Sequence, residues 1–208
     1  MLLASSPAVE RNTEVTVTTS EPAVLQKVWC AARFAPVTIV VAGTCSTLWC
    51  MDPSPPGPVF AWLVGSPEAI WGGALLSLWT SALGHISAVV LAFNLYWLVR
   101  LGRPLEHALG SPRFLALLLT TAYVASASGL AFRGVGRGLS GVVCAMAGFI
   151  WVSRVRYPVL DALTTRNWSW FLLWLGFCSL TDYLHIGTGN EAHLGGFVCG
   201  AAMAAASL

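Results

Sequence analysis

The chain has 208 residues, of which 56% are hydrophobic and only 10% are charged, a composition that excludes an ordinary soluble domain and indicates several membrane-spanning helices. Its formal net charge of +2 requires no nucleic-acid partner. The six cysteines lie mostly in apolar segments without the spacing of metal ligands, so we expect neither a bound metal nor a cofactor.

The N-terminal segment is polar and rich in Thr, Glu, Ser and Val. It is too short to bury a core of its own, and it lacks the basic start and long apolar run of a cleaved signal peptide. We predict a short cytoplasmic tail over residues 1–29, followed by a membrane domain over residues 30–208.

Six apolar stretches predict an all-α, polytopic membrane protein with six transmembrane helices. They cover residues 34–51, 86–99, 114–132, 138–153, 168–181 and 192–208. Several are shorter than the roughly 20 residues that a span needs, so we expect tilting, extension past a boundary charge or local thinning of the bilayer.

The basic residues lie mostly on one side of these stretches. Nine of the eleven fall in the tail or in loops on that side, namely Arg11, Lys27, Arg33, Arg100, Arg103, Arg113, Arg154, Arg156 and Arg166. Cytoplasmic loops carry the excess of Lys and Arg, so both termini are predicted to be cytoplasmic. The fourth and sixth stretches then begin at the non-cytoplasmic face.

The longest connection runs over residues 52–84. It begins with DPSPPGP, a series of turn signals, and continues with apolar residues that include Trp62, Trp71 and Trp79. Trp favours the membrane interface, which predicts a membrane-embedded loop between the first and second spans. Half a span, cut short by Gly72 and Gly73, remains the alternative.

Two polar residues stand out at the second stretch. Asn94 lies in the middle of AFNLYWLV, where a buried amide needs partners. A helix–helix hydrogen bond is the commoner explanation, and donation to an oxyanion is the functional one. His85 precedes the stretch and is expected to brace the long loop.

Small residues recur every four positions in the fourth and sixth stretches, which predicts that these two helices approach closely. The fourth carries Ser140, Cys144 and Gly148, with Gly141 and Ala145 beside them, and the sixth carries Ala192, Gly196, Gly200 and Ala204. His193 shares the small face of the sixth stretch. Close packing would therefore bring Ser140 towards His193.

Ser140 and His193 are candidates for acyl-transfer chemistry. A membrane serine often only bonds a backbone carbonyl one turn back. Ser140 differs because it begins a helix between Gly138 and Gly141, where its N–H group is free to donate to an oxyanion. A histidine at membrane depth is costly and usually functional, which favours His193 as a general base.

Three motifs resemble the rhomboid intramembrane serine proteases, especially their six-span bacterial members. They are GLSGVVCAMAGFIW, AHLGG followed by Gly200, and HISAVVLAFNLYWLVRLGRPLE, and the resemblance covers residues 70–205. It implies a rhomboid-like bundle in the bacterial inner membrane. It also implies cleavage of transmembrane segments of other membrane proteins near the non-cytoplasmic side.

The resemblance assigns roles residue by residue. It implies that Ser140 is the nucleophile and His193 its general base. It further implies that Asn94 and the backbone N–H groups of Leu139 and Ser140 hold the oxyanion. Structural positions implied by the same motifs are Gly138, Gly141, Gly196, Gly200, His85 and Glu106, the last as an anchor of cytoplasmic helix ends.

Three departures from the family pattern matter, and the first of them favours slower chemistry. Val90 stands where many bacterial members have a second oxyanion histidine, and Cys144 stands where many have a tyrosine that stacks on the catalytic histidine. The Trp-Arg pair of the long loop is also missing. A catalytically weak or inactive rhomboid-like protein that binds transmembrane helices is therefore the alternative, and a channel or transporter is a weaker third.

Two further expectations concern the fifth stretch and the loop after it. The resemblance implies lateral substrate entry past Trp168, Trp170 and Trp174. Asp182 is a weak candidate for a third member of the catalytic group, while His185 is expected to face solvent or lipid headgroups.

Overall fold

The computed structural model describes residues 34–53, 56–133, 136–154, 156–157, 160, 169, 171–174, 176 and 189–207. Within these ranges the regular secondary structure is entirely helical, in agreement with the predicted all-α class. The N-terminal tail, most of the fifth apolar stretch and the loop with Asp182 and His185 lie outside the described residues.

Four of the described helices match predicted apolar stretches within a few residues, but the helix at the second stretch continues to Leu109, past the predicted end at residue 99. The described helices are α1 (Pro36–Met51), α2 (Pro58–Val64), α3 (Pro67–Trp71), α4 (Ser77–Thr80), the 3-10 turn η1 (Ser81–Leu83), α5 (Ala88–Leu109), α6 (Ser111–Arg133), α7 (Ser140–Ser153) and α8 (Asn190–Ser207). The first three begin with proline, whose missing N–H group costs nothing in a first turn. At α5 the hydroxyl of Ser87 accepts a hydrogen bond from the N–H group of Val90 at 3.2 Å.

Among the described residues, one helix is long and apolar enough to cross a membrane by itself, Ser111–Phe132 within α6. The segments Ser77–Leu83 and Ala88–Leu109 pass the same test together, but a bend of 98° separates them. Pro36–Met51 and Ser140–Ser153 are apolar but shorter. The count of six spans therefore stays a prediction.

The long loop between α1 and α5 contains three short helices and docks on α6 through Trp79. The indole N–H group of Trp79 donates to the carbonyl oxygen of Leu119 at 3.1 Å, and its ring lies 4.8 Å from that of Tyr123. Trp62 and Trp71 are 69% and 75% exposed. Exposed indoles favour a position in the membrane interface, which stays a prediction.

Glu106 joins three helices at one end of the bundle. Its Oε1 accepts hydrogen bonds from the N–H group of Val37 at 2.9 Å and the hydroxyl of Ser111 at 2.7 Å. Its Oε2 accepts from the N–H group and the hydroxyl of Thr38 at 2.9 and 2.8 Å. The carboxylate thus caps the start of α1, where the N–H groups have no acceptor within the helix.

The pKa of Glu106 is set by two opposing effects. Burial raises the pKa of the carboxyl, but the hydrogen bonds from Thr38, Val37 and Ser111 together lower it below its ordinary value of 4.5. The charged carboxylate is therefore the form that holds α1, α5 and α6 together.

Helices α7 and α8 pack with their backbones in contact. A Cβ atom on Gly196 would collide with the carbonyl oxygen of Gly141, and one on Gly200 would collide with that of Ala145. Conversely, a Cβ atom on Gly148 would collide with the carbonyl oxygen of Phe197. The absence of side chains at these glycines is what lets the two helices approach.

The face of α7 towards α8 consists of the predicted small residues. The close backbone approaches found at glycines run through Gly141, Ala145 and Gly148. Nearly every residue of α7 is buried, because α5, α6 and α8 all pack around it. Ser140, at the start of this helix, is only partly buried.

Candidate active site

The side chains of Ser140 and His193 meet where α7 and α8 begin. Nε2 of His193 lies 2.8 Å from the hydroxyl oxygen of Ser140, which is hydrogen-bond distance. Ser140 is the first residue of α7, and His193 lies in the first turn of α8. His193 is 5% exposed. In the tautomer with Nε2 unprotonated, the serine hydroxyl donates to the imidazole.

A turn at Gly138 determines where α7 begins. Gly138 has a φ of +82°, and its N–H group donates to the carbonyl oxygen of Ser81 at 2.9 Å. A Cβ atom on Gly138 would lie 3.6 Å from the nearest atom, the carbonyl oxygen of Gly84, which is ordinary contact. Glycine is therefore needed here for its backbone conformation and not for lack of space.

The start of α7 presents backbone donors beside the Ser140 hydroxyl. Leu139 is the N-cap residue and has no side-chain hydrogen bond to the helix, while its carbonyl oxygen accepts from the N–H group of Val143 at 3.0 Å. The first N–H groups of a helix have no acceptor within it, and the helix dipole adds positive potential there. A developing negative charge in front of Ser140 would be stabilised by both.

Asn94 brings an unpartnered amide to the same place. Its side chain is 1% exposed, and neither Oδ1 nor Nδ2 has a hydrogen-bond partner among the described residues. Nδ2 lies 3.9 Å from the position that a Cβ atom on Gly138 would take. The helix–helix hydrogen bond considered for Asn94 is thus absent from the described part of the chain, and the amide is available to a bound group.

His85 lies between the long loop and α5. Its Nδ1 is 3.0 Å from the carbonyl oxygen of Leu83 and so donates to it, while Nε2 is buried without a partner among the residues described. Burial lowers the pKa of His85, and the hydrogen bond to Leu83 opposes this only in part. A small cavity lined by Asp52, Phe60 and His85 adjoins the ring. These contacts fit a brace for the loop.

Two positions that depart from the family pattern lie in α5 and α7. Val90 is in the first turn of α5 and is 38% exposed, whereas Cys144 is buried in α7. The aromatic ring against His193 is that of Trp174, with centroids 5.3 Å apart and planes inclined by 50°.

Sequence reasoning named Trp174 for substrate entry and missed its contact with His193. The sequence offers no signal for this contact, because spacing within one span does not say which side chain of another span faces the histidine. Trp168, Trp170 and Asp182 lie outside the described residues.

The arrangement has the parts that acyl transfer requires. A hydroxyl nucleophile lies within reach of a base, and a helix start and an unpartnered amide lie beside them. Among the described residues, no cluster of three or more His, Cys, Asp or Glu side chains is placed to hold a metal ion.

Comparisons with known proteins point to one family. A family model described as Rhomboid domain matches residues 72–208. The rhomboid protease GlpG of Serratia proteamaculans is 37% identical over 134 residues, covering 62% of the chain and 48% of that protein. Proteins of the same name from Pectobacterium atrosepticum and Yersinia enterocolitica are 36% and 30% identical, covering 70% and 83% of the chain. The chain spans 48%, 53% and 63% of the length of these three relatives.

Proposed function

The chain belongs to the rhomboid family of integral membrane proteins, and we propose that it is an intramembrane serine protease that cleaves transmembrane segments of other membrane proteins. The observation that carries the proposal is the 2.8 Å separation between Nε2 of His193 and the hydroxyl oxygen of Ser140. Relatives named rhomboid protease GlpG support the same activity.

In the proposed mechanism, Ser140 attacks a substrate carbonyl while His193 takes the hydroxyl proton. The His193 imidazolium then gives this proton to the leaving amine, and an acyl-enzyme remains on Ser140. Water, activated by the same imidazole, attacks the ester and releases the acid product. Water must reach the pair, so we expect a polar recess that opens towards the non-cytoplasmic side.

The tetrahedral oxyanion is held by the N–H groups of Leu139 and Ser140 at the start of α7 and by the amide of Asn94. The buried Asn94 amide has no protein partner among the described residues, so it forms its hydrogen bond only when an oxygen atom arrives. Such a donor forms its hydrogen bond in the transition state and not in the resting enzyme. It therefore contributes to the rate rather than to ground-state binding.

The proposed setting is a six-span bundle in a bacterial inner membrane, with both termini in the cytoplasm and the dyad near the non-cytoplasmic side. The lipid bilayer and transmembrane protein substrates are then its partners, and nucleic acid is not. Intact helices hide their carbonyl groups, so cleavage requires substrate segments with small or helix-breaking residues near the cut.

A rhomboid-like protein that binds transmembrane helices without cutting them is the second candidate. The observation in its favour is Val90 at the position of a second oxyanion donor. Removing one such donor costs about a hundredfold to a thousandfold in turnover in other serine proteases. Such a loss slows the reaction but leaves the Ser140–His193 pair in place.

A fluorophosphonate probe and a model transmembrane substrate distinguish the two candidates. We expect the purified full chain to be labelled, and both labelling and cleavage to disappear in Ser140→Ala and His193→Ala. A folded wild-type chain that is not labelled, yet binds the transmembrane helix of the model substrate, would favour the binding protein. Cleavage that persists in Ser140→Ala would exclude this dyad.

A further inference from the structure

Trp174 connects the His193 imidazole to the helix that carries Asn94. Its ring centroid is 5.3 Å from that of His193, and it also stacks on Phe93 of α5 with centroids 5.0 Å apart and planes inclined by 29°. Phe93 directly precedes Asn94 in the chain. One indole thus touches the proposed base and the helix of the proposed oxyanion donor.

The indole is itself held in a fixed place by neighbouring rings. Phe171 lies one turn before Trp174, and its ring is 5.5 Å from that of Trp174 and 5.7 Å from that of Trp97. Trp97 is 3% exposed and Phe171 is also 3% exposed, so this aromatic cluster is part of the core. A ring supported in this way is a rigid surface for the imidazole.

Catalysis by His193 requires a fixed orientation of its imidazole ring. The torsion that turns a histidine ring is broad, so several ring orientations are accessible unless neighbours exclude them. Rotation of the ring would move Nε2 away from the Ser140 hydroxyl. Cys144, which follows Ser140 by one turn of α7, is buried but carries no ring.

We propose that Trp174 is a positioning residue for His193: its indole holds the imidazole so that Nε2 faces the Ser140 hydroxyl. This inference rests on the proposed protease function of the pair. It gives Trp174 a part in proton transfer that is separate from any effect on how a substrate enters. A barrier to entry slows large substrates, whereas a support for the base speeds the reaction of Ser140 with any electrophile.

The test uses two substitutions of similar apolar character in the full chain, Trp174→Phe and Trp174→Leu. Phenylalanine retains a flat ring, and leucine does not. The readout is the labelling of Ser140 by a small fluorophosphonate, measured as the maximal rate at saturating probe and the probe concentration at half-saturation. Leu173→Ala is the matched control, because Leu173 is in the same segment and 64% exposed.

We expect the maximal labelling rate to stay within about threefold of wild type in Trp174→Phe and to fall by about tenfold or more in Trp174→Leu, because small misplacements of a catalytic group are costly. The half-saturating concentration should change little in either variant. Equal rates in the two variants, or faster labelling in Trp174→Leu than in wild type, would overturn the positioning role.

Two further outcomes are informative. If Trp174→Leu does not fold, Phe93→Leu replaces it: loss of the stack on Trp174 should slow labelling, and an unchanged rate would overturn the inference. A wild-type chain that is not labelled overturns the proposed function and this inference together. Labelled wild type with no difference between the variants overturns the inference alone.

Discussion

The carbonyl oxygen of Gly141 in α7 lies in the space that a side chain on Gly196 of α8 would occupy. Gly141 directly follows Ser140, and Gly196 comes one turn after His193. The approach of these two backbones therefore determines the distance between the Ser140 hydroxyl and the His193 imidazole. Adding one methyl group, as in Gly196→Ala, tests this dependence.

Gly196→Ala should separate α7 from α8 and lengthen the contact between Ser140 and His193. We expect the rate of fluorophosphonate labelling to fall by about tenfold to a hundredfold, because the geometry of a nucleophile–base pair tolerates little displacement. Thermal unfolding should also shift to lower temperature. Gly43→Ala is the control, since a Cβ atom there meets nothing within 4 Å; an equal loss in both variants would contradict the argument.

Asn94→Leu should separate activity from stability. Turnover should fall by about a hundredfold to a thousandfold, the usual cost of an oxyanion donor. Stability should stay the same or rise, because the variant removes a buried amide without a partner among the described residues. Cleavage of a model substrate and the unfolding temperature are measured side by side. A large drop in unfolding temperature would instead show that the amide bonds to the protein in the resting state.

Glu106→Gln should destabilise the bundle by about 2 kcal/mol or more, since hydrogen bonds to a charged group are each worth about 1.5 to 3 kcal/mol. The folded-state pKa of Glu106 lies below its unfolded value of 4.5. The stabilisation by the Glu106 carboxylate is therefore complete above pH 4.5, and it is lost as the pH falls through the pKa of the folded state.

Unfolding temperature against pH checks this: wild type should lose stability in acid more steeply than Glu106→Gln. Glu68→Gln is the comparison, because the pKa of this exposed acid in the long loop is also lowered, but by hydrogen bonds from its own backbone and from Ser66 rather than from another long helix. Parallel curves for wild type and Glu106→Gln would show that the carboxylate charge does not hold α1.

His85 should make the protein sensitive to mild acid. Its folded-state pKa lies below the ordinary 6.5, so below 6.5 the unfolded chain binds a proton that the folded chain does not. Stability is thus greatest above 6.5 and falls as pH drops through that value. His85→Gln should flatten the curve in this range, as followed by thermal unfolding. His107→Gln is the comparison. If His107→Gln flattens the curve of unfolding temperature against pH and His85→Gln does not, the acid sensitivity does not come from His85.

Much of the helical layout follows from local features of the chain. The apolar lengths predict α1, α6, α7 and α8 within a few residues, because a membrane helix satisfies its backbone hydrogen bonds within its own segment. The glycines at 141, 148, 196 and 200 indicate close packing for an equally local reason, the absence of a side chain. The sequence does not distinguish the short helices α2, α3 and α4 within the long loop, and α4 is placed by docking against α6 through Trp79.

The sequence by itself determined which residue types stand at the starts of two small-residue helices: a hydroxyl at Ser140 and an imidazole at His193. Only the tertiary structure decided how closely the backbones of α7 and α8 approach at Gly141, Ala145 and Gly148. It also decided that the ring against His193 comes from Trp174. The reason is physical: spacing along a helix specifies a face, whereas the angle at which faces meet depends on all neighbouring side chains together.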